Sequence, residues 1–158
     1  MKNMILTLVM LFFATGCNEE KANEQQETSI FGSWRLISFV NDSDGTSLDA
    51  SNPDYYDPIN NSEISIIINF KEDFEYEGAT SSNTFSGDYN LGERNRQLIL
   101  QHFLTTKAGE TKWGDLFYDS FDLSYDQQSD NWKFIFEIQG DTLKIFYEDY
   151  DYMTFKKL

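Results

Sequence analysis

The stretch WKFIFEIQGDTLKIFY, residues 132–147, decides the fold class of this chain. Its apolar side chains recur at every second position, at Trp132, Phe134, Phe136, Ile138, Leu143, Ile145 and Tyr147. A two-residue period is typical of strands that bury one face, and Gly140-Asp141 between the two runs is typical of a hairpin turn. Residues 148–151 are a second polar reversal, and residues 152–155 form a last strand with Phe155 out of phase. We therefore predict a C-terminal three-stranded antiparallel meander.

The same period appears earlier in the chain. Two further runs alternate in this way, at Ile64, Ile66, Ile68 and Phe70, and at Leu98 and Leu100. Clusters of Asp, Asn, Ser and Gly separate the runs, as expected for short strands joined by turns. The sequence therefore predicts a mainly β protein, with a single small antiparallel β-barrel-like domain over residues 30–158.

One segment has a helical period instead. Its apolar residues are spaced i, i+3, i+4 and i+8, at Trp113, Leu116, Phe117 and Phe121. This spacing predicts one short amphipathic helix from about residue 109 to residue 121. Gly109 and Gly114 oppose it, because a glycine inside a helix costs about 1 kcal/mol. The alternative is a strand from Phe121 to Tyr125 that turns back through residues 127–130.

The charge of the chain excludes several classes of function. There are 12 lysine and arginine residues and 27 aspartate and glutamate residues, so the formal net charge is −15. Such a surface repels phosphate backbones and anionic lipid head groups, so we expect no nucleic-acid partner. One cysteine and one histidine provide neither a disulfide framework nor a usual transition-metal site. We accordingly expect no metal and no cofactor.

The N-terminus resembles an export signal. Residues 4–13 are an apolar run broken by Thr7, too short for a bilayer span, which needs about 20 apolar residues. The run ends in Ala14-Thr15-Gly16-Cys17, which resembles the lipobox of bacterial lipoproteins, with Ala14 where Leu is commonest. The resemblance implies that residues 1–16 are a signal peptide, that Cys17 is lipidated, and that the membrane is a partner through this lipid.

Residues 17–29 join that anchor to the domain. They contain no aromatic residue and few apolar ones, so we expect a flexible acidic tether. Glu19-Glu20-Lys21 resembles the short charged signals that route lipoproteins of the Bacteroidetes type to the cell surface, although a solvated linker has the same composition. The expected location is the cell envelope, at the outer membrane, facing either the periplasm or the cell exterior.

Three motifs of the domain resemble a known family. Gly32-Ser33-Trp34 is a G-x-W element at the start of the first strand, and Asn83, Gly87 and Tyr89 follow the pattern N-x-x-x-G-x-Y. With the Gly140-Asp141 hairpin, these motifs resemble META/HslJ-like domains, in which the Trp plugs one end of a barrel. The resemblance implies a compact β domain of an envelope protein, with these residues in structural roles and without a catalytic residue to carry over.

Lipocalin-like barrels are the alternative family. They share the G-x-W element, a hairpin of the form Phe70-x-x-Asp73-Phe74-x-Tyr76 and a similar C-terminal meander. The chain also departs from the META pattern, because Ser82 and the Ala108-Gly109 region stand where many members have cysteines. The acidic loop of residues 41–62 is longer than in that pattern.

Candidate chemical groups in the domain have structural explanations. His102 lies in a strand without a nucleophile motif, so we expect a partly buried structural histidine. Asp42-Ser43-Asp44-Gly45 hints at calcium, but aligning Gly45 to the glycine of an EF-hand loop puts Val40 and Ser51 where Asp and Glu are required. We expect a solvated acidic loop there. Tyr55 and Tyr56 farther along the loop either pack onto the barrel or form part of a binding rim.

These observations lead to two functional hypotheses. The first is an envelope lipoprotein whose non-catalytic domain binds a protein partner or serves in envelope stress. The second is a lipocalin-like carrier of a small apolar ligand. The large number of aromatic residues, 16% of the chain, favours the first, because bulky side chains should fill a small barrel. We therefore predict a packed interior, with binding on the outer surface.

Overall fold

The computed structural model of the protein describes residues 29–52, 65–92 and 96–158. Within these ranges, ten strands and one helix follow one another in the order β1 (Gly32–Asn41), β2 (Thr46–Asp49), β3 (Ile67–Phe70), β4 (Glu75–Ala79), β5 (Thr84–Leu91), β6 (Gln97–Thr105), α1 (Lys112–Leu123), β7 (Tyr125–Asp126), β8 (Asn131–Gln139), β9 (Thr142–Phe146) and β10 (Asp151–Lys157). In these ranges no helix is long and apolar enough to cross a membrane.

Eight of these strands form a closed antiparallel barrel. Their order is β10-β9-β8-β6-β5-β4-β3-β1, and β1 pairs with β10 to close the ring. β2 pairs with the second half of β1, and β7 pairs with the start of β8. The predicted mainly β, barrel-like domain with a single helix is confirmed.

The predicted C-terminal meander is present as β8, β9 and β10. Gln139 pairs with Thr142 across the two-residue turn, and Gly140 takes a φ of 60°, which costs a glycine little. In β10 the inward residues are Met153 and Phe155, both fully buried. Phe155 therefore points inward together with Met153, and it is out of phase with Tyr152 and Thr154.

The helix begins later than the predicted residue 109. The Thr111 side chain accepts a hydrogen bond from the Gly114 N–H (3.2 Å), and this N-cap starts the helix at Lys112. Gly109 consequently lies outside the helix, which removes one of the two glycine costs. The helix continues to Leu123, two residues beyond the predicted end.

The alternative to the helix, a strand that turns back, is partly present as well. Tyr125 and Asp126 pair with Trp132 and Asn131 immediately after the helix ends. The two interpretations of this segment thus describe consecutive elements. The strand is short because Phe121 is taken up by the helix, where it packs against Phe134 with a ring distance of 5.1 Å.

The helix packs its apolar face against the interior of the barrel. Its buried rings contact aromatic rings of three strands. The ring centroids of Trp113 and Phe39 in β1 are 4.8 Å apart, and those of Phe117 and Phe85 in β5 are 5.2 Å apart. Phe121 contacts Phe134 in β8. Together they form one continuous core with the barrel residues Ile30, Trp34, Leu36, Ile66, Ile68, Phe70, Tyr76, Tyr89, Leu98, Leu100, Phe136, Leu143, Ile145, Met153 and Phe155.

Candidate functional site

The interior of the barrel leaves no room for a ligand around these core residues. The cavity enclosed between the helix rings and the strands measures about 10 Å³. Ligand sites usually begin near 300 Å³. The prediction of a packed interior is therefore confirmed for the described part of the barrel.

The outer wall, in contrast, has an open groove of about 750 Å³ across β3, β4, β5 and β6. We call it the outer-wall groove. Two cross-strand rows make most of its floor, Ser33–Asn69–Glu77–Ser86–Leu104 and Ile67–Ala79–Thr84. Because Ala79 and Ser86 have small side chains, the floor is depressed below its rim.

A bulge in β6 supplies the most exposed apolar residue of this groove. Ser86 pairs with Leu104 but Asp88 pairs with Gln101, so β6 has one residue more than β5 across this step. Before the bulge, the even-numbered residues Leu98 and Leu100 point into the barrel. The extra residue moves the inward-pointing positions of β6 to odd numbers. Phe103 is therefore packed against the core, while Leu104 points outward with 67% of its surface exposed.

Gly87 lies opposite this bulge, where the two backbones approach closely. A Cβ at this position would lie 2.4 Å from the carbonyl oxygen of Gln101 and 2.9 Å from that of His102. It would also lie 2.7 Å from the buried Tyr76 hydroxyl, which has no hydrogen-bond partner among the described residues. Burial raises the pKa of Tyr76, and the charge of Asp88 adds to the effect.

His102 is exposed, which corrects the expectation of a partly buried histidine. The bulge holds it at a φ of 53°, and 76% of its side chain is accessible. Its Nδ1 lies 2.8 Å from Asp88 Oδ2, at the surface. The inward phase passes to Phe103 at the bulge, so the histidine is displaced from the core. Neither His102 nor Asp88 lines the outer-wall groove.

Asn83 is the centre of a buried polar cluster at one end of this groove. Its Nδ2 donates to the carbonyl of Ala108 (2.9 Å) and to Glu110 Oε1 (2.5 Å). Its Oδ1 accepts from the Thr106 hydroxyl (2.9 Å) and from the Ala108 N–H (2.7 Å). Thr106 in turn accepts from the Thr84 N–H, so Asn83 positions two residues that line the groove.

Glu110 joins this cluster to the start of the helix. Its Oε1 also accepts from the Thr80 hydroxyl (2.5 Å), and its buried Oε2 has no hydrogen-bond partner among the described residues. A Cβ on Gly114 would lie 2.1 Å from that Oε2, so the glycine makes room for the carboxylate. The carboxylate is favourably located at the positive end of the helix dipole. Sequence reasoning missed Thr80 and Glu110, which are 30 positions apart.

The groove carries little net charge although the protein is strongly acidic. Among its described lining residues, Glu77 is the one with an ionised side chain, and Lys71 Nζ lies 2.8 Å from its Oε2. The hydrogen bond from Lys71 lowers the pKa of Glu77, and the same bond raises the pKa of the lysine. The rest of the lining consists of hydroxyls, an amide, aliphatic groups and Phe85.

The remaining motif residues lie away from this groove or at its edge. Trp34 is fully buried, and its Nε1 donates to the carbonyl of Ile30 (2.7 Å). Gly32 begins β1 with a φ of 115°, and Tyr89 is buried with its hydroxyl bonded to the Lys71 carbonyl (2.8 Å). Burial raises the pKa of Tyr89 to about 12. Gly32, Trp34 and Tyr89 thus stabilise the barrel around Ser33 and Lys71.

Asp141, next to Gly140 in the hairpin, contributes to the closing strand. Its Oδ1 accepts from Lys156 Nζ (2.5 Å), and this hydrogen bond lowers the pKa of Asp141. Its backbone carbonyl accepts from the Lys157 N–H (2.8 Å). The turn and the last strand are therefore tied together at this end of the barrel.

The Asp42-Ser43-Asp44-Gly45 turn forms hydrogen bonds with its neighbours along the chain, and Asp42 Oδ1 also accepts from the Tyr152 hydroxyl (3.2 Å). Asn41 Oδ1 accepts from the Ser43 N–H (2.9 Å), and Asp44 Oδ1 accepts from the Thr46 N–H (2.9 Å) and hydroxyl (2.7 Å). The bonds from Thr46 lower the pKa of Asp44. Among the described residues, no group of three or more His, Cys, Asp or Glu side chains could hold a metal ion.

Several sequence predictions fall outside the described residues. These are the signal peptide and Cys17, most of the tether, and Tyr55, Tyr56 and Ile64 within residues 53–64. They stay predictions.

Comparisons with known proteins agree with this architecture at the level of the fold. The sequence matches no family model, and no curated protein shows significant sequence similarity. A protein from Burkholderia xenovorans, solved by NMR, superposes with a TM-score of 0.54 at 16% identity over 80% of this chain and 81% of its own. A DUF4847 family protein from Bacteroides vulgatus ATCC 8482 superposes with a TM-score of 0.54 at 14% identity over 79% and 91%.

What these two share with the chain is the fold alone. A lipocalin-like protein from Bacteroides uniformis ATCC 8492 superposes with a TM-score of 0.48 at 15% identity over 81% of this chain and 97% of its own, below the level at which a shared fold follows. The closed eight-stranded barrel itself fits the lipocalin-like alternative of the sequence analysis. The META/HslJ-like resemblance stays a prediction.

Proposed function

We propose that this protein is a lipid-anchored envelope protein whose barrel is a non-catalytic binding module, and that it recognises a protein partner on its outer wall. The observation that carries the proposal is the contrast between a cavity of about 10 Å³ inside the barrel and a groove of about 750 Å³ outside it. A carrier of a small apolar ligand needs the interior space that the aromatic rings of α1 occupy.

The outer-wall groove has the composition of a protein contact surface. Leu104 and Ile67 provide apolar contact area, and each exposed aliphatic group that a partner covers contributes about 25 cal/mol per Å². Hydroxyls of Ser33, Thr84 and Ser86 offer hydrogen bonds across the floor. This mixture is typical of non-obligate interfaces.

The non-catalytic part of the proposal rests on His102. It is the single histidine of the chain, and its contact is an exposed carboxylate outside the groove. A general base must reach the proton that it abstracts from a bound substrate. The pair of His102 and Asp88 instead lies at the solvent-exposed surface beside the bulge.

Anchoring through Cys17 is tested by localisation. The wild-type protein should incorporate an azido-palmitate label and stay in the membrane pellet after a high-salt wash. Cys17→Ala should take up no label and be released, because no other segment is expected to hold it. A Cys17→Ala variant that stays in the washed pellet, together with a wild-type protein that takes up no label, would contradict lipid anchoring.

Partner binding is tested with a photo-crosslinking amino acid in living cells. At Leu104, in the groove, it should give a discrete protein adduct, and the additional change Ala79→Arg should abolish this adduct by filling the floor. At Leu123, which is 58% exposed on the helix, it serves as the matched control. Equal adducts at both positions, or none at Leu104, would reject the proposal. Displaceable one-to-one binding of a fluorescent fatty acid would favour the carrier instead.

A further inference from the structure

We propose that a second surface of the barrel, a groove on the outer face of β8 and β9, docks a segment of a protein partner that carries both basic and apolar side chains. This groove measures about 420 Å³ and shares no lining residue with the outer-wall groove. We call it the β8–β9 groove. The inference goes beyond the proposed function, because it assigns a separate site and the chemistry of its occupant.

The floor of the β8–β9 groove has an apolar centre, Ile135 and Phe146, flanked on β8 by Lys133 and Glu137. Ile135 pairs with Phe146, Phe146 pairs with Tyr152, and Tyr152 pairs with Val40, so these outward residues form one continuous row over four strands. Ile135 is 50% exposed, and the Phe146 ring lies 5.0 Å from the ring of Tyr152. Tyr152 is already buried, with 6% of its surface exposed, so a partner that covers this row mainly removes Ile135 and Phe146 from water.

The rim of the same groove is acidic. Glu148 and Asp149, both exposed, line the β8–β9 groove together with Glu137. They also line an adjoining depression of about 480 Å³, to which Asp151 adds a third carboxylate and Tyr150 an exposed ring. The two concavities therefore meet at the β9–β10 turn. A bound segment could lay apolar side chains on Ile135 and extend cations into the depression.

The cations near this surface are already engaged within the chain. Lys133 pairs with Asp126, and Arg96 lies 3.6 Å from Glu137. Lys144 Nζ lies 4.4 Å above the Tyr152 ring and 3.3 Å from its hydroxyl. None of the described cations forms an ion pair with Glu148 or Asp149, so their negative potential is directed toward solvent.

This charge selects the occupant. Anionic lipid surfaces and nucleic acids would be repelled, and the carboxylates of the described residues do not converge into a metal site. Lysine or arginine side chains of a protein segment complement the rim, while aliphatic or aromatic side chains of the same segment complement Ile135 and Phe146. Electrostatic complementarity of this kind provides specificity and a fast association rate.

The test uses the full mature chain with Cys17→Ala and a fluorescent eight-residue peptide of alternating lysine and leucine. A peptide of alternating glutamate and leucine is the control ligand. Fluorescence anisotropy measures affinity, and backbone amide NMR shifts locate the contact. We expect binding of the lysine peptide alone, with shifts concentrated at Ile135, Phe146 and residues 148–151.

Matched variants separate this site from the general acidity of the protein. Glu148→Gln with Asp149→Asn should weaken binding about 5-fold, and Ile135→Gln about 10-fold, from the usual sizes of exposed ion pairs and buried aliphatic groups. Asp119→Asn with Asp122→Asn removes the same charge from the exposed helix face and should change affinity less than about 2-fold.

Two results would overturn the inference. One is an equal loss of affinity in Glu148→Gln with Asp149→Asn and in Asp119→Asn with Asp122→Asn, which would mean that peptide binding depends on the net charge of the protein alone. The other is unchanged affinity of Ile135→Gln. Leu104→Arg should leave peptide binding intact, so failure at the outer-wall groove and failure at the β8–β9 groove are distinguishable.

Discussion

Replacing Gly87 with alanine tests how the chain builds its outer-wall groove. The added Cβ would lie 2.4 Å from the carbonyl oxygen of Gln101 and 2.9 Å from that of His102. Both are backbone atoms of the bulged strand, so neither can rotate away. β5 and β6 would have to separate by about 1 Å to restore ordinary contact distances of 3.4 Å or more, which disturbs the bulge.

The cost follows from what the bulge holds in place. Overpacking of this kind typically costs about 1–3 kcal/mol. Phe103, which the bulge turns inward, lies 4.9 Å from the Phe121 ring and 5.7 Å from the Phe85 ring, and any shift of β6 also loosens these contacts. We therefore expect Gly87→Ala to lower the free energy of unfolding by about 3 kcal/mol, at the upper end of that range.

Urea denaturation followed by tryptophan fluorescence measures this change. Gly109→Ala is the matched control, because a Cβ there would meet nothing within 4 Å and the position precedes the helix. It should leave stability unchanged or raise it by up to about 1 kcal/mol, through the unfolded state. A loss below about 0.5 kcal/mol in Gly87→Ala would refute the close approach of the two strands, since real overpacking costs more.

Three further predictions concern the core, the polar cluster and the acidic surface. Trp34→Ala should lower the free energy of unfolding by about 3–5 kcal/mol, and a loss under about 1 kcal/mol in a urea melt would show that the indole is not part of the core. Asn83→Asp should destabilise the protein at neutral pH by placing a second carboxylate against Glu110, and adding Glu110→Gln should restore much of the loss. Hydrogen bonds, of which the one from Lys133 has the largest effect, lower the pKa of Asp126 from 3.8 to about 2. The ionised carboxylate therefore contributes stability above about pH 4, and this contribution is lost as the pH falls through about 2. Asp126→Asn should therefore differ most from wild type above about pH 4 and converge with it near pH 2, and a constant difference in urea melts across that range would contradict this pairing.

The proposed binding surfaces were predictable from the sequence only in outline. Sixteen per cent aromatic residues indicated a filled interior, and the enclosed cavity of about 10 Å³ agrees with it. The sequence did not indicate which part of the outer wall would be concave. That depends on which residues stand side by side on neighbouring strands, such as Ala79 beside Thr84, and pairing between strands is not a local property.

Local sequence patterns were sufficient to predict the elements whose contacting residues are close along the chain. Phe134 and Phe136 are two positions apart and share the buried face of β8, and Gly140 allows the turn at a positive φ, so the meander follows from neighbours along the chain. The apolar face of α1 follows in the same way from Trp113 and Phe117. In both cases the period of the backbone places residues that are close in sequence on one face, and burial of that face stabilises the element.

The bulge, the polar cluster and the two grooves depend on contacts between residues that are far apart in the sequence. Leu104 would face the core if β6 kept the phase of Leu98 and Leu100, and it faces solvent because β5 offers a glycine for the bulge to pack against. Asn83 and Glu110 meet across 27 residues because the strand pairing brings the β4–β5 turn to the start of the helix. Such contacts depend on the register of the strands and on closure of the barrel. Register and closure are determined by the free energy of the whole core and not by any local sequence pattern.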